Sequence, residues 1–225
     1  MRCVISLISV LFLLQGCSGD VGGESSDTPK QGNSQAAGSQ SAPANAVQAS
    51  IADAAAGIYA LDKTHGYVTF SYSHQGYSRP WLRFRDVDAT LTLNPDQVSL
   101  SKLDVNIDAA SIDSGVDIFD EHLRGEKFFN VAKHPKIEYV ANSVSEAGSA
   151  GNFRVEGILT MKGVAKPLAL DVRFNKSGTH FSLKKPQVGF SATASLKRSD
   201  WDLGYAVPMV GDAVDVVIEA EFIQP

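Results

Sequence analysis

From Gly57 to Phe222 the chain alternates apolar and polar residues with a period of two, the mark of strands that bury one face. Val68, Phe70, Tyr72 and His74 share one face, against Tyr67, Thr69, Ser71 and Ser73 on the other. Leu103, Val105 and Ile107 repeat the pattern, as do Phe153, Val155 and Leu159; Leu168, Leu170, Val172 and Phe174; and Val214, Val216, Ile218, Ala220 and Phe222. Across residues 82–93 the alternation changes phase near Asp86, which predicts a β-bulge. Turn residues punctuate the runs at Asn94-Pro95-Asp96, residues 148–152, Met161-Lys162-Gly163 and Lys176-Ser177-Gly178, the last two close enough to consecutive runs to imply an antiparallel meander. Only residues 117–130 read as helix, with Ile118, Phe119, Leu123 and Phe128 on an apolar side. The fold class is therefore all-β, about eight antiparallel strands with one short helix. Periodicity leaves a sandwich and a closed barrel both open.

The first 56 residues follow other rules. Arg2 precedes an apolar run over residues 4–14, long enough for a signal-peptide core but short of the roughly 20 residues of a permanent span. Leu14-Gln15-Gly16-Cys17 resembles the lipobox of bacterial lipoproteins, so residues 1–16 are expected to be removed and Cys17 to become the lipidated N-terminus. Two or more acyl chains make such anchoring stable, and Ser18 after the cysteine favours the outer membrane, facing the periplasm. Residues 18–56 hold no aromatic, and Gly, Ser, Ala and Gln fill 26 of 39 positions, too little apolar surface to offset the entropy of ordering. Residues 17–56 are thus the lipidated cysteine and a linker, whose 39 residues span roughly 34 Å root-mean-square as a Gly-rich coil. The domain occupies residues 57–225.

Composition narrows the chemistry. The formal net charge is −5, and a polyphosphate partner needs a basic face, so no nucleic acid is expected. The only cysteines are Cys3 and Cys17, which leaves the domain without a disulfide, a thiolate nucleophile or a cysteine-ligated metal. Its five histidines, 65, 74, 122, 134 and 180, fit no zinc spacing. Neither a GxSxG elbow nor a phosphate-binding glycine loop is present. No enzyme, metal site or cofactor is indicated.

Five stretches in order resemble the YceI-like family across residues 57–225. They are Tyr59-Ala60-Leu61-Asp62 with His65, Val68, Phe70 and His74; His122-Leu123-Arg124 with Phe128-Phe129-Asn130-Val131 and His134-Pro135-Lys136-Ile137; the segment from Gly157 to Val164 with Lys166-Pro167-Leu168; Arg198 with Asp200-Trp201; and Val210-Gly211-Asp212 with Val214. Gly66 stands where the family usually has Ser, Trp201 where Phe is common, and the usual glycine before the residue matched by Phe84 is missing. The resemblance implies a lipocalin-like antiparallel barrel, exported, sometimes dimeric, whose apolar lumen holds a polyisoprenoid or similar long-chain amphiphile.

On phase, the inward positions are Val68, Phe70, Tyr72, His74, Phe84, Leu103, Val105, Ile107, Phe119, Phe128, Phe129, Ile137, Tyr139, Phe174 and Phe190, and these are the candidate ligand contacts. Each is equally well explained by core packing. The competing reading is a non-catalytic envelope module whose barrel is filled and whose loops, including exposed Pro80-Trp81, bind a protein partner.

Overall fold

A sheet with one apolar face must cover that face and protect its edges, and closing on itself does both. The computed structural model, which describes residues 50–225, has this solution. The strands are β1 (Gly57–His74), β2 (Trp81–Phe84), β3 (Val87–Leu93), β4 (Lys102–Asp108), β5 (Ile112–Asp113), β6 (Lys136–Glu146), β7 (Asn152–Met161), β8 (Val164–Thr179), β9 (Pro186–Lys197) and β10 (Val210–Ile223). Eight of them form the wall in the order β1, β3, β4, β6, β7, β8, β9, β10, and β10 pairs back onto β1. All pairings are antiparallel. β2 continues the wall above β3, on the C-terminal half of β1, and pairs in turn with β5. The closed barrel and its single helix agree with the sequence reading.

Strand phase follows the alternation except where bulges reset it. The break expected near Asp86 falls between β2 and β3: Leu82 and Phe84 are buried before it, Val87, Leu91 and Leu93 after it. β1 has a second break. Tyr59 and Leu61 face inward, then the register against β10 jumps between Leu61 and Gly66, and Val68, Phe70 and Tyr72 take over. Asp62 staples this bulge, accepting from the Thr64 amide at 2.9 Å and pairing with His65 Nδ1 at 2.8 Å.

The staple titrates. The hydrogen bond that His65 donates to Asp62 holds the histidine pKa above its ordinary 6.5. Burial pushes the Asp62 carboxyl up, but hydrogen bonds from His65 and Thr64 outweigh it and leave the group below its ordinary 3.8. The stabilisation is therefore complete between those ordinary values. It fades as pH rises through the elevated histidine pKa and as pH falls through the depressed carboxyl pKa. The melting-temperature gap between wild type and Asp62→Asn should be widest near about pH 5 and shrink by about pH 9; a gap that grows with pH would show that the pair does not hold the bulge.

Two sequence expectations are corrected. The helix, α1, covers Asp117–Arg124 and stops there because Gly125 is extended; Phe128 lies in the following turns. Its inward residues are Phe119 and Leu123, four apart, whereas Ile118 points outward. Second, Lys176-Ser177-Gly178 is no turn: β8 runs through it to Thr179, with a register shift between Phe174 and Lys176, and the chain reverses over residues 180–185. The tripeptide pairs regularly with β9 just past the bulge at Asn175. The expected turn at Met161-Lys162-Gly163 is a tight reversal, with Lys162 and Gly163 both at positive φ and Met161 paired with Val164, as a two-residue hairpin requires.

Cys17, the signal peptide and the linker through residue 49 lie outside the described residues. Just after them, Ile51–Asp53 form one turn of 3-10 helix, and Ala54 is buried against the barrel end. Chain packing therefore begins before Gly57.

Two apolar clusters occupy the interior. One, around Tyr59, Leu91, Leu93, Phe153, Phe174, Val188 and Phe222, closes the end near the N-terminal entry; the other surrounds the wide end beneath α1. Between the ends Gly157 lets a ring approach: a Cβ there would sit 2.5 Å from Tyr139 Cζ and from the Val140 carbonyl. The Tyr139 hydroxyl donates to the Val155 and Leu168 carbonyls at 3.2 and 3.3 Å, and burial pushes its pKa up to about 12. Gly157→Ala should cost about 1–3 kcal/mol by overpacking and lower the melting temperature accordingly; a neutral substitution would mean that β6 and β7 separate freely.

Candidate functional site: a two-chambered lumen

A closed wall whose inward residues are mostly Val, Leu, Ile and Phe encloses a space that those side chains do not fill. The larger chamber is about 360 Å³. Of the sequence-predicted contacts, Val68, Phe70, Tyr72, His74, Phe84, Val105, Ile107, Phe119, Phe128, Phe129, Ile137 and Tyr139 all line it. Phe84 links two more rings, with Phe70 and Phe129 each 5.6 Å away, and Phe128 meets Tyr205 edge-on at 5.4 Å. The helix supplies one side of the mouth. Arg124 fixes it to the wall by donating to the Ala110 and Ile112 carbonyls at 2.8 and 3.1 Å, and Asp120 accepts from the amide of Ser114 at 2.7 Å.

A smaller chamber of about 130 Å³ lies toward the closed end. Leu103 and Phe190, also predicted contacts, line this one instead. Val68, Val105, Leu170 and Ile218 border both chambers and form a waist between them. Ile51 and Val98 stand at the far wall. Phe174 faces inward as its phase required but lines neither chamber; it packs edge-on against Phe190 at 5.5 Å in the closing cluster. Phase identifies a face of the sheet and is silent on the level along the barrel axis.

Sequence reasoning missed the far wall of the large chamber, including Leu159, Leu196, Val214 and Val216. The same alternation marked Leu159, Val214 and Val216, whereas Leu196 lies in a run it did not single out. It also missed Arg198, the one buried cation among the described residues. Arg198 Nε donates to Gly211 O at 2.9 Å, Nη1 to Tyr205 O at 2.9 Å and to Leu203 O, and Nη2 to Val210 O at 3.0 Å. Four of five guanidinium donors are thereby committed to backbone carbonyls, pinning the 203–211 segment that carries Leu203, Tyr205, Ala206 and Val210 to the chamber wall. Burial lowers its pKa, opposed by the charge of nearby Asp212. The fifth donor leaves one polar contact available. Tyr72, whose pKa burial raises and the Arg198 charge lowers in part, and His74 at the exposed rim complete a polar end on an otherwise apolar chamber.

The outer surface shows a different grouping. Ligand atoms of Asp62, His65 and Glu221 lie within 4.8 Å of one another; a hydrogen bond at the bulge holds the first two together, and Glu221 comes from β10, whose Phe222 pairs with Leu61.

The sequence model of the YceI-like domain matches residues 59–222. The chain belongs to the YceI-like family. A UPF0312 protein of Azotobacter vinelandii is 33% identical over 174 residues, covering 75% of this chain and 88% of that one. Among solved structures, Burkholderia cenocepacia BcnA superposes with a TM-score of 0.65 at 21% identity, over 72% of this chain and 98% of its own. A polyisoprenoid-binding domain from Saccharophagus degradans implicated in plant cell wall breakdown superposes with a TM-score of 0.58 at 14% identity, over 74% and 98%.

Proposed function

We propose that this YceI-like protein binds a polyisoprenoid or similar long-chain amphiphilic lipid in its lumen, without catalysis, as a carrier, store or sensor in the bacterial envelope. The observation that carries this is the size of the void. Core packing normally closes apolar space down to near-crystal density, yet about 360 Å³ bounded almost wholly by apolar side chains stays open here. Packing alone would have filled it. The volume also falls in the range of small-molecule pockets, roughly 300–1,000 Å³. The family relation and the polyisoprenoid-binding S. degradans domain point to the same ligand class.

Energetics favour a long tail. Each isoprene unit, four to five methylene equivalents, offers roughly 3 to 4 kcal/mol at about 0.8 kcal/mol per methylene, against an association cost of roughly 4 to 15 kcal/mol. Several units must be buried. The tail enters the apolar chamber and extends past the waist, and a polar head rests near His74, Tyr72 and the free donor of Arg198. The filled-barrel interaction module fits less well, since the space such a module would fill is open.

The second part of the proposal is that Cys17 carries the acyl groups that hold the protein to the outer membrane, facing the periplasm; the motif around Gly16-Cys17 supports it. Organic extraction of the purified chain followed by mass spectrometry tests the ligand. One equivalent of a long-chain isoprenoid is expected, and a lipid-free, fully folded protein that takes up none on incubation would refute the reading.

A further inference from the structure

The reversal between β8 and β9 presents two large apolar side chains to water. Phe181 is 82% exposed and Leu183 56%. The loop is tightly made. The His180 amide donates to Lys185 O at 2.8 Å and the Lys184 amide to His180 O at 3.0 Å. His180 Nδ1 accepts the Leu183 amide at 3.1 Å, and its ring stacks on Phe181 at 5.3 Å. Lys184 adopts φ 57, a left-handed conformation that a side-chain-bearing residue takes only under constraint. Order of this kind fixes the apolar pair outward. Beside it stand Lys184 and Lys185, the first donating to Phe181 O at 2.5 Å. An aromatic and a leucine flanked by lysines match a bilayer interface, where the rings enter the head-group boundary and the ammonium groups meet anionic lipid.

Position selects the bilayer over other occupants. The Gln224 amide donates to Pro186 O at 3.0 Å, and its side chain donates to Ala56 O at 3.1 Å. The Ile51–Asp53 turn packs on β8. The described chain, which starts at residue 50, therefore enters the barrel beside this tip. The mouth, built from α1 and the 203–211 segment, lies at the opposite end.

We infer that residues 180–185 sit in the head-group region of the anionic bilayer to which the chain is anchored, so that the barrel stands on its closed end with the lumen mouth turned away from that membrane. The inference rests on the anchored, lumen-binding reading above and adds a direction to it. Lipid would exchange with a partner on the far side rather than with the bilayer underfoot.

Tryptophan quenching tests it with the full chain, purified from membranes and reconstituted into vesicles of dioleoyl phosphatidylethanolamine and phosphatidylglycerol, with and without brominated acyl chains. The native tryptophans report on the alternative, because Trp81 is exposed at the mouth end and Trp201 is buried. In brominated vesicles wild-type emission should be unchanged, while Phe181→Trp should lose most of its added emission. Adding Lys184→Glu and Lys185→Glu should restore much of it. Quenching of wild type would place the mouth on the membrane and overturn the proposal. So would floating vesicles that carry the protein with no quenching at position 181, and so would an emission from that position that shifts to the blue with protein concentration alone, the sign of a second copy on the tip. Protein that does not float with the vesicles contradicts the anchor and this orientation together, whereas flotation without quenching contradicts the orientation only.

Discussion

Replacing Val105 with Trp is expected to empty the lumen of lipid while leaving the barrel folded. Val105 borders both chambers from β4, and the strand keeps its register through Leu103 against β3 and Ile107 against β3 and β6. The indole would occupy the waist, where a tail must pass. Losing even two or three methylene contacts at about 0.8 kcal/mol each exceeds the about 1.4 kcal/mol that corresponds to tenfold in affinity, so lipid recovered per mole of protein should fall about tenfold or more. Filling a void differs from overpacking a core. The substituted protein should keep its circular dichroism and melt no lower than lipid-free wild type. Val105→Ala is the control, and it should retain lipid. Equal lipid recovery from the tryptophan variant would place the ligand somewhere other than the lumen.

Arg198→Met should be the most damaging single change at the mouth. It leaves the carbonyls of Gly211, Leu203, Tyr205 and Val210 without their donor at a residue that is 8% exposed. Leaving a buried acceptor without its donor costs about 1–3 kcal/mol for each group, and with part of the set able to turn to water about 3–5 kcal/mol in all is expected. At roughly 2–4 °C per kcal/mol for a domain of this size, the melting temperature should drop by about 6 to 20 °C. Amide exchange should rise first across residues 203–211, since these lose their common anchor. Arg198→Lys should rescue little, because a single ammonium cannot span four carbonyls set around a planar fork. A variant that melts like wild type would show that the mouth segment is held by its own packing.

The wall of this site was legible in the sequence because a period of two is a direct readout of which side faces inward. That suffices for Val68, Phe70, Tyr72, Ile107 and Tyr139, and the slip at Asp86 was visible for the same reason. What depends on level, volume or distant partners was not visible. Phe174 has the right phase at the wrong height. Val214 and Val216 were recognised as strand residues, but nothing local says that the strand carrying them closes onto β1. Arg198 stands out only as part of a family pattern, since its role depends on carbonyls contributed by a segment that folds back over it. Lys176-Ser177-Gly178 has turn composition but stays in the ladder with β9, the bulge falling just before it at Asn175. The void itself is a difference between the space a closed wall encloses and the side chains that enter it, and no window of residues contains that difference.

Crystals of the chain saturated with a long-chain isoprenoid give the most direct test. Continuous ligand density is expected from the His74–Arg198 rim through the large chamber and past Val68, Val105, Leu170 and Ile218. Density confined to the outer surface, or a lumen collapsed onto itself with the lipid excluded, would contradict it.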